Sequence, residues 1–511
     1  LPTPMHSPTM TNDAIGRVAD GGGSEMVTAS KGKMLVEILD GPPGCGKSTT
    51  LREDAAKAGG RYLFAYPTIP LLREQAEAFR ATGAFTVIEA HSKSKGKGAV
   101  ETRLADAACE IVEAGITNAV VMTTHESFMA CDLSPFAGWH FRIDEAPIAA
   151  QSGKVRIPVS RELFRAKFDL KPMAQGQWHE VVLRNEADRW TDVANDDLGQ
   201  PVSEFIKHAS RRTGAFVDVP SWHVRSFNWC ALWSPHLLED IAASFTIAGA
   251  SYPHSIGAFI AAPHVMSQVR TLPMHRTGMP TINIHYFTEG HTGSTKLWRT
   301  SGGRAMIVKV CDYLAQNVPD LGFWSGNNVV KELMEHRLAG DMIEAKAQGR
   351  NEYRDKTSCA FIFSSKATPD DEPLKSLTGI TDAQIERARE EEDILQFVMR
   401  GAVRNADFDG DYDIYLYSKG QADDLAAKLD ASKVGVVTVI PATAAGILND
   451  DAKPRKAAST SSNKAATKIV KSSRTGKIIK PSSEARNKRR AKSDKPKGSV
   501  GRPRKAGVEG A

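Results

Sequence analysis

The sequence predicts an α/β protein of two parallel-sheet blocks, interrupted by an insertion and followed by a basic tail. Three observations carry this. A glycine loop of phosphate-binding spacing lies between a strand and a helix, at Gly41-Pro42-Pro43-Gly44-Cys45-Gly46-Lys47-Ser48. Strands alternate with helices over two separate stretches, the pattern of parallel sheets. The composition shifts to Lys, Arg, Ser, Ala and Pro with few aromatics near residue 446, and such a segment cannot bury a core.

At 511 residues the chain is long enough for roughly three to four domains. We read 1–30 as a flexible leader, 31–150 as the first block, 151–240 as an insertion of mixed character, and 241–275 as a return to the first block plus a linker. Residues 276–445 form the second block and 446–511 a disordered tail. No apolar run is long enough to span a membrane. The six cysteines are widely spaced with no C-x-x-C pair, so neither a zinc site nor a disulfide framework is expected, and a reducing cytoplasm is the expected setting. The formal net charge of +6 hides a split. Residues 451–511 carry 19 basic and 4 acidic groups, a net of +15, whereas the other 450 residues carry a net of −9. A basic tail on an acidic body points to an anionic partner, nucleic acid above all, with DNA favoured over RNA.

In order, Met34 to Leu39 reads as a buried strand and Ser48 to Lys57 as a helix. Tyr62 to Tyr66 is a strand stopped by Pro67, Leu71 to Arg80 a helix, Phe85 to Glu89 a strand, and Val100 to Ala114 a helix. Ala119 to Thr124 is a strand running into a polar loop at His125-Glu126-Ser127, and Trp139 to Ile143 a strand running into Asp144-Glu145-Ala146-Pro147. The insertion contains Trp178, Trp190, Trp222, Trp229 and Trp233, with a loop at 195–199. Such tryptophans either pack a core or stack on unpaired bases. Ser244 to Ser251 returns to a strand. The second block holds strands at 281–287, 321–325, 360–364, 413–417 and 434–440, and helices at 304–316 and 329–335. Glu390 onward reads as a helix on which Gln396, Arg400 and Arg404, spaced four apart, share one face.

The chemistry follows from residue types. Backbone N–H groups of the glycine loop, Gly41 to Ser48 with Thr49 behind it, turn toward phosphates at a helix N-terminus. Lys47 reaches the β- and γ-phosphates of ATP, and the Ser48 hydroxyl sits on Mg²⁺. Asp144, at the carboxyl end of a strand, holds that Mg²⁺, and Glu145 deprotonates the attacking water. Arg400 and Arg404 supply permanent positive charge to a γ-phosphate from the second block.

At these residues the chain resembles a superfamily 2 helicase of the DEAD/DEAH type. Asp144-Glu145-Ala146-Pro147 is similar to the D-E-A-x box. Tyr66-Pro67-Thr68 with the Leu71–Gln75 helix resembles P-T-x-x-L-x-x-Q, and Thr123-Thr124 the following loop. The resemblance implies that Pro67, Thr68, Thr123 and Thr124 touch the nucleic-acid backbone. Gly249-Ala250-Ser251 resembles S-A-T, which links ATP state to domain movement. Gly349 to Asp355 resembles a G-x-x-x-x-D loop, with one residue more between the glycine and the acid, or is a solvated polar loop. Gln396-Phe397-Val398-Met399-Arg400 through Arg404 resembles Q-x-x-G-R-x-x-R, with Met399 in place of glycine and the last arginine one residue late. The family implies two RecA-like domains with ATP and Mg²⁺ in the cleft between them and nucleic acid across both. No adenine-reading glutamine loop precedes the P-loop, which separates the chain from strict DEAD-box enzymes. In the tail, Gly501-Arg502-Pro503-Arg504-Lys505 either resembles an AT-hook, implying minor-groove contacts by Arg502, Pro503 and Arg504, or is part of a merely charged tail that binds phosphates non-specifically. The expected function is an ATP-dependent helicase or translocase. The alternatives are a DNA-packaging terminase, with Asp407, Asp409, Asp411 and Asp413 as nuclease acids, and a DNA-binding protein with a regulatory ATPase.

Overall fold

The computed structural model describes residues 33–94, 99–157, 161–173, 176–184, 200–345 and 352–450. The leader, Trp190, the loop at 195–199, residues 349–351 and the basic tail from 451 onward, with Arg502, Pro503 and Arg504, lie outside them.

The first lobe is built on β1 (Met34–Asp40), β2 (Arg61–Tyr66), β3 (Thr86–Glu89), β4 (Ala119–Thr124) and β5 (Trp139–Asp144). The chain then leaves to form a separate sheet of β6 (Ala150–Arg156), β7 (Phe168–Pro172), β8 (Trp178–Leu183), β9 (Ala215–Asp218) and β10 (Ser226–Leu232). It returns with β11 (Ala242–Gly249) and β12 (Val265–Thr271). The first-lobe sheet runs β12-β1-β11-β5-β2-β4-β3, parallel throughout. Its central strands β2 and β4 read as near-continuous apolar runs because both faces are covered. Val36, Leu63, Val121 and Phe245 point into one core, and Leu39, Phe64, Met122 and Ala248 into the other. β12 has no signature in the sequence. It is an edge strand with six of its seven residues exposed, so it lacks an apolar run.

The second lobe repeats the plan with β13 (Thr281–Thr288), β14 (Phe323–Gly326), β15 (Asp341–Met342), β16 (Ser358–Ile362), β17 (Asp411–Ser418) and β18 (Val436–Pro441). Its parallel order is β15-β14-β16-β17-β13-β18. These two parallel sheets with flanking helices are the pair of RecA-like lobes. Among the described residues no helix is long and apolar enough to cross a membrane.

The sheet between β5 and β11 is antiparallel, ordered β6-β10-β9-β8-β7. Its tryptophans pack cores: Trp222 and Trp229 lie between the sheet and the Gln200–Ala209 helix, and Trp233 joins the first-lobe core. Trp178 packs with Leu374 and Leu377 of the second-lobe helix Glu372–Thr378, and its Nε1 donates to Ser376 Oγ at 3.1 Å. The antiparallel sheet therefore rests on the second lobe although the chain enters and leaves it from the first.

Three expectations need correction. His125-Glu126-Ser127 opens a short helix, His125–Ala130, and is not a loop. The Thr124 hydroxyl caps it by accepting from the Ser127 N–H, and Phe128 is buried beneath it. Gln396, Arg400 and Arg404 do not share a helical face, because the helix Asp382–Val398 ends before the arginines. The Tyr412 hydroxyl donates to the Val398 carbonyl at 2.8 Å, and a Cβ on Gly401 would collide with that hydroxyl oxygen. The chain therefore turns at glycine, and Arg404 closes a 3₁₀ turn, Ala402–Arg404. Residues 446–450 are part of the second lobe and not of the tail. Ile447 is buried, and the Glu289 N–H donates to the Leu448 carbonyl.

Candidate active site

Strand register assembles the site. Asp40 at the end of β1 pairs with Gly249 on β11, and Ala248 pairs with Asp144 on β5. The glycine loop, Gly249-Ala250-Ser251 and Asp144-Glu145 therefore emerge side by side at the carboxyl edge of one parallel sheet, where ligands bind in such folds.

The loop needs its glycines for different reasons. Gly44 and Gly46 stand at φ of +87° and +89°, the left-handed region. A Cβ on Gly41 would lie 2.6 Å from the Leu272 carbonyl oxygen. Gly46 is the N-cap of the Lys47–Ala58 helix and supplies no side-chain cap, which leaves capping of that end to backbone geometry and to whatever binds there. Lys47 Nζ folds back to donate to the Gly41 and Pro42 carbonyls at 2.7 and 3.0 Å. Cys45 is nearly buried, and burial raises its thiol above the ordinary value.

Ser48 Oγ donates to Asp144 Oδ2 at 2.6 Å. Burial lifts the Asp144 carboxyl above its usual range, against the opposing Ser48 bond and Lys47 charge. A hydroxyl and a carboxylate in contact, both oxygen donors, fit Mg²⁺. Glu145 holds φ of +68°, unusual outside glycine. Its Oε2 is buried with no hydrogen-bond partner. Burial, then the charge of Asp144, push its carboxyl up to about 7, while Lys47, Arg400 and Arg404 pull it down. A carboxyl of that kind suits a general base near neutral pH.

A cleft of about 520 Å³ joins these groups to the second lobe. Pro43, Gly44, Lys47, Ser48, Thr49, Asp144 and Glu145 line one wall, and Gln396, Arg400 and Arg404 the other. A Cβ on Gly44 would touch Arg404 Cγ at 3.2 Å, so Arg404 lies over the glycine loop. Arg400 is buried, and its Nε donates to the Gln396 carbonyl at 3.3 Å. Arg354 also lines the cleft, and after burial its charge is the main cause lowering Arg404 below the usual arginine range. In the sequence Arg354 is hidden, because the loop from Gly349 is read toward the acid that follows it, Asp355. Gln75 lines the cleft too, with Oε1 accepting from Arg52 Nη1 at 3.1 Å.

The predicted nucleic-acid residues divide. Pro67 and Thr68 line the cleft at the end of β2, and the Thr68 hydroxyl caps the Ile69–Thr82 helix. Thr124 caps its helix at the end of β4. Thr123 is fully buried, with its hydroxyl donating to the Ala90 carbonyl at 2.8 Å, so it faces the lobe interior. Asp407, Asp409, Asp411 and Asp413 belong to no group of three or more His, Cys, Asp or Glu among the described residues. Asp413 instead accepts from Asn283 Nδ2 at 3.1 Å and lies 3.2 Å from His285 Nε2.

No family model and no curated protein matches this sequence. Solved structures similar to it include Xpd4 of S. tokodaii, at TM-score 0.42 and 13% identity over 80% of this chain and 96% of that one. An XPD helicase gives 0.44 and 9% over the same shares. S. cerevisiae Dbp5 bound to RNA and ADP BeF3 gives 0.34 and 9%, over 81% and 86%.

Proposed function

We propose that the protein hydrolyses ATP in this cleft and couples hydrolysis to movement along nucleic acid, as a helicase or translocase. One observation carries the reading: Lys47, the Ser48–Asp144 pair and Glu145 of one lobe face Arg400 and Arg404 of the other across a single cleft. Each lobe holds half of a phosphoryl-transfer site, so hydrolysis and lobe closure are coupled by construction.

In this reading Lys47 leaves the Gly41 and Pro42 carbonyls for the β- and γ-phosphates. Ser48 and Asp144 would hold Mg²⁺, which supplies charge neutralisation at the phosphates. Glu145 takes the proton of the attacking water. Arg404, over the glycine loop, balances charge on the γ-phosphate, and Arg400 holds the second lobe's turn against Gln396. Pro67, Thr68 and Thr124, at the carboxyl ends of β2 and β4, present hydroxyls and backbone to a nucleic-acid strand. The basic tail adds non-specific affinity, and its Arg502-Pro503-Arg504 motif adds preference for A·T-rich DNA. DNA is the favoured partner, because the tail motif suits its minor groove.

The test is ATP turnover with and without single-stranded DNA or RNA, together with strand separation. Turnover should rise with a strand present and vanish in Lys47→Ala with the fold intact. Wild-type turnover in Lys47→Ala would remove the basis of the reading.

A further inference from the structure

We propose that His125 is a positioning residue that holds Glu145 in its strained, cleft-facing conformation and ties it to the strand-contacting turn at Thr124. The inference rests on the reading above of Glu145 as base and Thr124 as a nucleic-acid contact.

The geometry is specific. His125 Nε2 lies 2.9 Å from the carbonyl oxygen of Asp144, with the backbone of Ala65 beside the ring. A carbonyl only accepts, so Nε2 donates to it. That carbonyl belongs to the peptide linking Asp144 to Glu145, and the orientation of this peptide sets the φ of Glu145. Glu145 is at +68°, a conformation that is costly outside glycine and persists only where its surroundings enforce it. His125 grips the peptide at its carbonyl, whereas Glu145 Oε2 has no hydrogen-bond partner to hold it.

The other end of the contact is equally constrained. His125 is the first residue of the His125–Ala130 helix, directly after Thr124, whose hydroxyl caps that helix. A shift of this turn when a strand engages Thr124 moves the imidazole, and with it the Asp144–Glu145 peptide. β4 and β5 are not neighbours in the sheet, since β2 lies between them, so ladder hydrogen bonds do not link the two strand ends directly and the imidazole spans the gap. The chain thus has a single-side-chain route from strand binding to the base.

The experiment compares His125→Ala and His125→Gln with wild type in the full chain, at saturating ATP, with an oligo(dT) strand and an oligo(rU) strand as probes. His125→Ala should lower kcat by about 10–100-fold, the cost of misplacing a reacting group by about an ångström. KM for ATP and strand affinity should stay within about twofold of wild type, and stimulation by the strand should fall to about one. His125→Gln, whose amide N–H can reach the same carbonyl, should recover most of kcat and stimulation. If the alanine variant does not fold, His125→Asn serves in its place, because its shorter amide stops short of the carbonyl. Unchanged kcat in the truncated variant overturns the proposal. So does equal loss in the glutamine variant, which would make the ring mere packing, or a rise in KM with kcat intact. A wild type that turns over ATP while the histidine variants behave normally sinks only this inference; a wild type without turnover sinks the parent reading as well.

Discussion

At the residue scale the site separates holding phosphate from activating water. Asp144 is bonded to Ser48, whereas Glu145 Oε2 is shielded from solvent without a hydrogen-bond partner. Glu145→Gln should therefore bind ATP nearly as wild type while turnover falls about 10²–10⁴-fold, the usual contribution of a general base. Nucleotide titration beside steady-state turnover checks this, and loss of ATP binding would make Glu145 a ligand instead. Arg404 lies over Gly44, and Arg400 is bonded back to the Gln396 carbonyl. Arg404→Ala should lower kcat by on the order of 10³-fold with little change in ATP affinity. Arg400→Ala should cost stability as well, because its guanidinium is buried. Wild-type kcat in both variants would mean that neither side chain reaches the phosphate.

At the scale of elements, the end of the Asp382–Val398 helix decides whether the arginines reach the cleft. Gly401→Ala would press a Cβ onto the Tyr412 hydroxyl, which bonds the Val398 carbonyl at the helix end. We expect a loss of about 1–3 kcal/mol from the overpacking together with reduced turnover, read by urea unfolding and by kcat. Normal turnover at reduced stability would show the turn to be structural only. The same helix is held by Asp371, which accepts from Arg389 Nη1 and Nη2 at 3.0 and 2.6 Å and from the Thr368 N–H at 2.7 Å. Burial raises the Asp371 carboxyl, but the Arg389 and Thr368 bonds outweigh it and hold it below its usual value. A carboxyl depressed in the folded state contributes stability above its unfolded pKa, about 3.9. That contribution is lost as pH falls through the folded value. Asp371→Asn should thus destabilise at pH 7 by about 1–3 kcal/mol and flatten the loss of stability below about pH 4. An unchanged acid limb would place the sensitivity elsewhere.

At the scale of the whole molecule, the antiparallel sheet is an addition to the first lobe that rests on the second. Trp178 closes the apolar contact with Leu374, Leu377, Ile380 and Ile385. Trp178→Ala should cost about 3–5 kcal/mol, and Trp178→Phe, which keeps most of the packing but loses the Ser376 bond, about 1 kcal/mol. Equal costs would mean that the bond and not the packing holds the sheet there. The tail belongs to this scale by its charge. Removing 451–511 takes away a net +15. Affinity for duplex DNA should drop and its salt dependence flatten, by about 0.9 in log–log slope for each phosphate the tail had neutralised, while ATP turnover stays unchanged. An unaltered slope would point to a partner other than nucleic acid.

Local chemistry and short-range periodicity were enough to mark the phosphate site and the two parallel sheets. Gly44 and Gly46 mark left-handed turns, Lys47 and Ser48 follow them, and an apolar strand leads into Asp144. Both parallel sheets were legible because their most buried strands, such as Arg61–Tyr66 and Ser358–Ile362, are nearly continuous apolar runs. The rest depends on residues far apart in the chain. β12 exists because β1 offers it an edge, not because of its own pattern. The end of the helix before the arginines depends on Tyr412, which follows Val398 by 14 residues. Arg354 joins the site through lobe packing. Thr123 and Thr124 look equivalent in sequence, yet one hydroxyl meets Ala90 inside the lobe and the other caps a helix. The insertion could be recognised as foreign to the parallel pattern, but its antiparallel order and its seat on the second lobe could not. Strand pairing and interdomain burial are set by long-range complementarity, to which a local reading of one chain has no access.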